Sequence, residues 1–579
     1  MVDFRKLLLA LIAGALMLTS VASANYGCVA TSVTPFVRWE GRAELVGEVR
    51  LNCEGDVTGT DPITVNIRMK LNTNVTSNVV GNVGGTSSGL PITDSLLILD
   101  GGASGQIGYA STTNLVPYYD GTQNIFQAVR ITDTEIEWQN VTLYAGGGTN
   151  PTRNLRITNV RGNASAFSAT GGQITAYVNI TTPSTVSVTN NNLSVADVRQ
   201  GVYVTTTAAA GLTRCEMPSQ EGPYFSLLFH EGGPISGGLA NSFKTKGPDG
   251  PNSMLDVSYY NESGFVPASV VSLQGIALIG RANQGTQLRA VLSGIPTGVS
   301  LTFPTTVTTS PDYGLVATLQ APATNTMTAT NGVITVIYEI TASPAASVGN
   351  IETVTIPVGV VYATGFDTRS IGTVTAAGGF SPVSSVVVMN GPAKEPRFMD
   401  TAVLPGTSVL SIGACRTILL FPYLTNSPGF DTGIAISNTS VDPLGTQPQD
   451  GACTLNFYGL ANGHALTSAQ SIQLTPTIPG GGQLIMLLSS NVGSVVNILA
   501  PTTVATCTAG NCVLPAFQGY MFATCYFQYA HGFAFVSDLG TSKLAMGYLA
   551  LVVPDRGDGE RKAKTSAKSG DNMGEQLGL

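Results

Sequence analysis

The tripeptide D-T-G at residues 431–433 is the pattern in this sequence that most suggests catalysis. Aspartic-type hydrolases carry an aspartate of this kind in a loop after an apolar strand, and two such carboxylates share one proton. The sequence has no second copy, because the nearest match, F-D-T-R at 366–369, has arginine in place of glycine. Pro428 and Gly429 precede Asp431, which favours an aspartate in a turn at the start of a strand.

A second candidate, G-T-S-S-G at 85–89, matches the pattern of a serine nucleophile elbow. Such an elbow needs a buried strand before the serine and a helix after it. The sequence around it is a run of glycine, serine and asparagine with neither element, so we interpret it as a loop. Of the three histidines, His230 is the nearest one that could serve as its base.

Metal and cofactor sites are not predicted by the remaining polar residues. His464 and His531 lie near the ends of two similar segments, CTLNFYG and CYFQYAHG, and could face each other, but a structural zinc site needs about four ligands. No C-x-x-C motif occurs, and no loop has the ligand spacing of a calcium-binding hand. An ion held by residues from separate loops is left open.

Eight cysteines and an export signal make disulfide bonds the expected use of sulfur. One of many pairings would join 28 with 53, 453 with 525, 507 with 512, and 215 with 415, but spacing alone does not decide connectivity. The candidates are Cys28, Cys53, Cys215, Cys415, Cys453, Cys507, Cys512 and Cys525.

Residues 1–24 have the composition of a cleaved signal peptide. Arg5 and Lys6 precede an apolar run, and A-S-A at 22–24 matches a cleavage site. No later apolar run reaches the ~18 residues of a membrane helix. We therefore expect a secreted, extracellular or cell-surface protein without a transmembrane segment after cleavage.

Composition indicates strands and turns rather than helices. Only 11% of the 579 residues are charged, 43% are hydrophobic, and glycine occurs 67 times. Strand-forming threonine and valine with turn-forming glycine and asparagine favour an all-β protein. The net charge of −8 and the lack of a basic stripe argue against nucleic acid as a partner.

The distribution of strand patterns predicts two to three β-sandwich-like domains. Their predicted ranges are 25–205, 216–395 and 398–554, followed by a charged tail at 555–579 that we expect to be disordered. The clearest strand runs from Ile63 to Leu71, where apolar and polar residues alternate strictly. The most organised stretch runs from Cys415 to Ser440 and reads as two strands around a tight loop.

Several segments resemble an uncharacterised family of large secreted β-rich proteins from acidobacteria-like soil bacteria. The resemblance rests on FPYLTNSPGFDTGIAISNTS, GACTLNFYG and YAHGFAFVSDLGTSKLAMGYLALVV near the C-terminus, and on ITVNIRMKLNTNVTS and RITNVRGNAS near the N-terminus. It implies an exported β-rich protein of the surface or the extracellular space. It transfers no catalytic residue to this chain.

These observations favour a non-catalytic structural or adhesive protein over an enzyme. Its partner would be an extracellular polymer, a cell surface or further copies of itself. A carbohydrate-binding protein is the alternative, and an exposed row of tyrosine or tryptophan along one sheet would favour it. An aspartic-type hydrolase built on Asp431 is the third hypothesis.

Overall fold

The chain is almost entirely β-structure, as predicted. The structure, a computed structural model, contains two short 3-10 turns, Val83–Gly85 and Ala164–Ala166, and no α-helix among the residues it describes. No helical segment in that part of the chain has the length and apolar character of a membrane span. The described residues are 26–55, 63–85, 88–99, 106–107, 123–144, 152–182, 186–213, 223–233, 239–247, 259–266, 279–309, 314–321, 324–344, 349–363, 371–381, 395–400, 406–444, 446, 448–466, 470–472, 475–489, 492–496, 501–505, 516–538, 543–553 and 576–577. The predicted signal peptide lies outside them.

The first part of the chain forms one large sheet, in the order β14-β1-β4-β11-β7-β9-β10-β5-β13-β15-β2, and a small β12-β3 pair. The strands are β1 Tyr26–Ser32, β2 Phe36–Arg38, β3 Glu44–Leu45, β4 Val49–Glu54, β5 Ile63–Leu71, β6 Val79–Asn82, β7 Pro91–Leu99, β8 Gln106–Ile107, β9 Gln123–Arg130, β10 Glu135–Tyr144, β11 Arg153–Thr158, β12 Arg161–Gly162, β13 Gly172–Thr182, β14 Val186–Thr189 and β15 Asn192–Arg199.

The large sheet curls around a single core. β1 and β2 are consecutive in the chain, yet β1 pairs with β14 and β4 near one end of the sheet while β2 pairs with β15 at the other end. The alternation predicted for β5 is confirmed, since Val65, Ile67 and Met69 are buried in this core and the intervening polar residues are not. Trp138 of β10 lies opposite Ile67 and is fully buried.

The middle of the chain forms a sandwich of two sheets, β16-β18-β25-β20-β23 and β17-β27-β26-β19-β24-β22-β21. One core lies between them and contains Phe229 and Val358 from the first sheet with Leu288 and Val336 from the second. The strands are β16 Val202–Thr206, β17 Ala210–Thr213, β18 Phe225–Glu231, β19 Gln287–Ser293, β20 Val299–Thr302, β21 Thr306–Thr308, β22 Val316–Ala321, β23 Thr326–Thr328, β24 Val333–Ala342, β25 Thr353–Tyr362, β26 Gly372–Phe380 and β27 Thr407–Gly413.

Strand pairing carries this middle sandwich beyond the predicted range 216–395 on both sides. β16 pairs with β18, and β27 pairs with β26 and, in parallel, with β17. Pro357 lies in β25, an internal strand between β18 and β20, although proline within a sheet usually lies in an edge strand or a bulge. The proline is tolerated because the pairing with β20 begins only at Gly359, so no partner there needs its missing N–H.

The last part of the chain forms a second sandwich. Its sheets are called C1, in the order β31-β30-β36-β28-β39-β40 with β32 beside β30, and C2, in the order β35-β34-β33-β29-β37-β38. The strands are β28 Thr417–Thr425, β29 Asp431–Asn438, β30 Cys453–Ala461, β31 His464–Ala465, β32 Gln470–Ile472, β33 Gln483–Leu487, β34 Val492–Val496, β35 Pro501–Ala505, β36 Phe517–Cys525, β37 Ala530–Ser537, β38 Ala545–Leu549, β39 Leu551–Val553 and β40 Gln576–Leu577.

The two strands predicted within 415–440 are present as β28 and β29, but they belong to opposite sheets. The loop at 426–430 is therefore a corner of the sandwich rather than the turn of a hairpin. Phe421 of C1 and Ile434 of C2 share the core between the sheets. Of the predicted tail, only β40 is described, and it pairs with β39.

Candidate functional site

Asp431, the predicted catalytic candidate, is bonded within the fold at the start of β29. Its carboxylate accepts the backbone N–H groups of Thr432 at 2.8 Å and Ser489 at 3.0 Å, and it also accepts the Ser489 hydroxyl. The next residue, Thr432, bonds back to Thr425 through its hydroxyl, which accepts the Thr425 N–H and donates to the Thr425 carbonyl. These bonds join the ends of β28, β29 and β33, so D-T-G acts as a brace at a corner of the sandwich. The F-D-T-R segment lies outside the described residues.

The three histidines are not brought together. His230 of β18 stacks on Tyr203 with ring centroids 4.4 Å apart, and its two nitrogens lie 2.8 Å and 2.9 Å from the hydroxyls of Thr205 and Thr353. Partial burial lowers the pKa of His230. His464 lies in sheet C1 and His531 in sheet C2, so the predicted facing pair is not formed by neighbouring strands.

Other predicted motifs give no assembled chemistry in the described part of the chain. The serine of G-T-S-S-G at position 87 lies outside the described residues. Among the residues that are described, no group of three or more histidine, cysteine, aspartate or glutamate side chains is arranged to hold a metal ion.

Two disulfide bonds join directly opposed residues of neighbouring strands. Cys28 of β1 is bonded to Cys53 of β4, and Cys453 of β30 is bonded to Cys525 of β36, with Cα–Cα distances of 3.9 Å and 4.0 Å. Each bond therefore staples two strands within a sheet instead of linking two layers. Cys415 is also in a disulfide bond.

A buried ion network at the junction of the first sheet and the middle sandwich was not predicted. The guanidinium of Arg38 is 2% exposed. It contacts Glu44 at 2.7 Å and Glu262 at 2.7 Å, and donates to the Ser242 carbonyl and the Thr286 hydroxyl at 3.0 Å each. Burial by itself would lower the pKa of Arg38, but the two carboxylates raise it by more than burial lowers it. The pKa therefore lies above the ordinary value for arginine.

Aromatic rings complete the surroundings of Arg38. Its Cζ lies 4.7 Å from the ring centroid of Phe398 and 5.7 Å from that of Phe380, and the two rings stack on each other. Every N–H of the guanidinium therefore has a carboxylate, carbonyl or hydroxyl partner while its face lies on an aromatic ring. Arg38 and Glu44 come from the first sheet region and the other partners from the middle, so the network joins the two.

Further contacts extend this junction. The side chain of Asn159 makes a reciprocal pair with the backbone of Phe265, both bonds being 2.7 Å. Phe265 and Ile279 also cover the outer face of β7, which explains why both faces of that strand are buried. Such a buried contact is expected to hold the two parts of the chain in one orientation.

The outer face of sheet C1 carries an aromatic cluster, which we call the tyrosine face and define by Tyr458, Tyr520 and Phe522. Tyr458 and Tyr520 lie opposite each other on β30 and β36, with centroids 5.2 Å apart and planes 9° apart. Phe522 meets both rings edge-on at 6.1 Å. Tyr520 is 41% exposed, and Asn456 and Gln518 occupy neighbouring outward positions.

The outer face of sheet C2 is also largely apolar. We call it the apolar face and define it by Ile485, Leu487, Phe533, Phe535 and Leu549, whose exposed fractions are 40–52%. The residues of β33 and β37 alternate with buried ones, so they point away from the core, and Leu549 of β38 lies beside Phe533. Sequence alternation alone does not show this face, because both faces of these strands are apolar.

Comparisons with known proteins give no family for this chain. No family model and no curated protein matches it. Solved structures with similarity include the C-terminal domain of the AgI/II polypeptide BspA of Streptococcus agalactiae, at 8% identity and a TM-score of 0.24, covering 61% of this chain and 96% of that one. The major pilin subunit BcpA of Bacillus cereus is similar at 8% identity and a TM-score of 0.19, covering 78% and 98%. The major pilin SpaD of Corynebacterium diphtheriae is similar at 8% identity and a TM-score of 0.16, covering 76% and 92%. TM-scores of this size do not establish a common fold.

Proposed function

We propose that this chain is an exported, non-catalytic structural or adhesive protein that contacts its surroundings through the tyrosine face of its last sandwich. The observation that carries the proposal is the tyrosine face, where two tyrosines and a phenylalanine lie on the outward side of a sheet stapled by a disulfide. Rigid aromatic side chains give large contact area at low entropic cost, which suits a binding surface.

The rest of the described chain supports a structural role. Arg38 and its partners hold the first sheet and the middle sandwich together, and neighbouring strands are locked by disulfides. Asp431, the residue most suggestive of catalysis, is bonded as a strand brace. A stiff body that presents exposed aromatic side chains is what an attachment or scaffold protein needs.

Surface attachment of the source cells tests the adhesive role. We expect deletion of the gene to reduce attachment, the wild-type chain to restore it, and a chain with Tyr458→Ser and Tyr520→Ser to fail to restore it although it is exported in normal amount. Tyr177→Ser is the matched control, because Tyr177 is an equally exposed strand tyrosine of the first sheet. Attachment that is unchanged by deletion would reject the adhesive role.

Polysaccharide binding is the second candidate, and the same face favours it. Sugar rings bind to aromatic faces by apolar contact while hydroxyl groups bond to nearby amides. Asn456 and Gln518 place amides beside the rings, and Gln518 donates to the Tyr423 hydroxyl at 3.4 Å. The tryptophans take no part, since Trp138 is buried and Trp39 donates to the Phe167 carbonyl.

Retention of the purified chain on insoluble polysaccharides tests this candidate. We expect the wild-type chain to be retained on one of cellulose, chitin and starch, and Tyr520→Ala to be released, with Tyr177→Ala behaving as wild type. Absence of retention on all of a broad panel would remove the carbohydrate hypothesis and leave the structural role untouched.

A further inference from the structure

Sheet C2 is apolar on the side where an antiparallel sheet normally meets water. Such sheets place apolar residues on the core face and polar residues on the other face. Here β33, β29, β37 and β38 contain one charged residue, Asp431 at the start of β29, which is 2% exposed and bonded to Ser489. Their inward residues such as Ile434 and Leu484 fill the sandwich core. An apolar face of several strands marks a contact site.

The apolar face has a regular relief of ridges and a groove. In one row across the strands, Leu487 lies beside Gly433, and Gly433 lies beside Phe535. In the next row, Ile485, Ala435 and Phe533 follow each other in the same way. β29 therefore forms a groove floored by small residues between two ridges of large ones.

The groove above Gly433 is open. A Cβ atom built on this glycine would find only the Phe535 carbonyl oxygen within 4 Å, at 3.9 Å. The groove above Gly547 on the far side of the ridge is filled, because a Cβ built there would lie 2.7 Å from the Phe533 ring. A partner therefore has one empty channel to fill, about 4.8 Å from the Phe535 ridge, since that is the spacing of neighbouring strands.

This relief is complementary to itself. A two-fold axis parallel to the strands, midway between β29 and β37 and just above the sheet, exchanges these two strands between the copies. The Phe535 ridge of each copy then lies over the Gly433 groove of the other. Face-to-face sheets with interdigitating side chains are a common packing mode, and a two-fold interface uses the same patch on both copies.

We infer that the apolar face of sheet C2 packs against the same face of a second copy of this chain, with Phe535 of each copy seated over Gly433 of the other. The face is uncharged, so it matches an equally uncharged surface better than a charged one. This inference stands on the apolar face, whereas the proposed function stands on the tyrosine face, and either can fail without the other.

The size of the face sets the strength of the contact. Five half-exposed side chains of this size offer roughly 400–500 Å² per copy, given ~150–250 Å² for a whole large side chain, against about 800 Å² per partner in a standard interface. We therefore expect a weak, reversible dimer that forms at high local concentration, as on a surface where other contacts hold copies close together.

Sedimentation velocity of the purified exported chain over a wide range of concentrations tests the inference. We expect a reversible monomer–dimer equilibrium that chloride does not weaken and sulfate strengthens, because the contact is apolar. Phe535→Ser should weaken dimerisation about tenfold or more by removing the ridge. Tyr520→Ser on the opposite sheet is the matched control and should leave the equilibrium within about twofold of wild type.

Gly433→Leu distinguishes a shape-complementary interface from non-specific hydrophobic association. The substitution adds apolar surface, so a non-specific hydrophobic contact would become stronger, but a filled groove excludes the Phe535 ridge and should weaken the dimer about tenfold or more. Gly433 has no positive φ and has open space above it, so the variant should fold, which circular dichroism would verify. A wild-type chain that stays monomeric, or a Gly433→Leu dimer as tight as wild type, would overturn the inference.

Discussion

The carboxylate of Asp431 accepts donors from two segments of the chain, Thr432 beside it and Ser489 at the end of β33. The residue is 2% exposed, so these donors replace the water that the carboxylate would otherwise bind. Hydrogen bonds to an ionised acceptor are stronger than bonds between neutral groups, so this carboxylate helps to hold the two segments together. The motif that suggested acid–base chemistry is thus used to fix a corner.

Asp431→Ala should destabilise the last sandwich by about 1–3 kcal/mol, because Thr432 and Ser489 lose their bonds to a charged acceptor that holds the corner together. Urea denaturation followed by circular dichroism would measure the loss. Asp442→Ala is the matched control, since its carboxylate bonds to its own exposed loop, at Leu444 and Thr446, and it should leave the stability nearly unchanged. Equal effects of the two variants on stability would contradict the proposed role of Asp431 in fixing this corner of the sandwich.

The carboxyl group of Glu231 is a second buried acid, in the middle sandwich. It accepts the N–H groups of Phe243 at 2.7 Å and Glu352 at 3.0 Å, and burial raises its pKa to about 8. The carboxyl of Glu352, whose pKa burial also raises, adds to the shift of Glu231 by repulsion. The folded protein therefore favours the neutral form of Glu231.

This shift has a definite consequence for stability against pH. A raised folded pKa means that the group's contribution is fully present below the ordinary glutamate value of 4.5 and is lost as the pH rises through about 8. We expect wild type to lose on the order of a few kcal/mol across that window relative to Glu231→Gln, which cannot ionise. Urea titrations of both proteins at several pH values would show it, and parallel curves would contradict it.

At the scale of elements, the disulfide bonds act between neighbours in a sheet. Cys453 and Cys525 lie opposite each other on β30 and β36 and are separated by 72 residues in the chain. The tyrosine face lies on these same two strands, at Tyr458 and Tyr520. The two strands are neighbours in sheet C1, and this adjacency brings the two cysteines within bonding distance.

Replacing both cysteines of this pair with alanine should destabilise the last sandwich by about 2–4 kcal/mol, because the long loop between them is no longer closed in the unfolded chain. Differential scanning calorimetry would measure the shift of the corresponding transition. The Cys28–Cys53 pair closes a loop of only 25 residues and provides the comparison, with a smaller expected loss in a different part of the chain. A larger loss from the shorter loop would contradict the entropic account.

At the scale of the whole molecule, the buried network around Arg38 joins the first sheet to the middle sandwich. Buried ion pairs stabilise weakly as complete units, but the loss of one partner leaves charges that are buried and unpaired. Glu44 and Glu262 both depend on Arg38 in this sense. The junction is therefore a place where one substitution should affect both parts together.

Arg38→Met should cost about 3–5 kcal/mol and lower the stability of the first sheet and the middle sandwich together, because Glu44 and Glu262 would stay buried with Lys244 nearby but without the cation that contacts both. Arg130→Met is the matched control, since Arg130 pairs with the exposed Asp133 and should cost less than about 1 kcal/mol. Calorimetry with limited proteolysis would separate the two parts. A loss of stability no larger than that of Arg130→Met would contradict the role of Arg38 in joining the two parts.

The all-β fold, the strict alternation of β5 and the two strands within 415–440 follow from sequence, because side-chain periodicity and turn residues act over a few residues. Sheet membership does not, because it depends on pairing between distant strands. The sequence therefore could not show that β28 and β29 lie in opposite sheets, or that β27 pairs with β26 in the middle sandwich.

The candidate contact surfaces depended on tertiary structure for the same reason. Tyr458 and Tyr520 are 62 positions apart in the numbering and become neighbours only through the register of β30 and β36. In the sequence, Arg38 is an ordinary charged residue, because Glu262 comes beside it only in the folded chain. From local sequence alone, we expect an exported, strand-rich chain that contains cysteines. Long-range packing decided which side chains are exposed together, since the identity of a surface depends on which distant strands share a face.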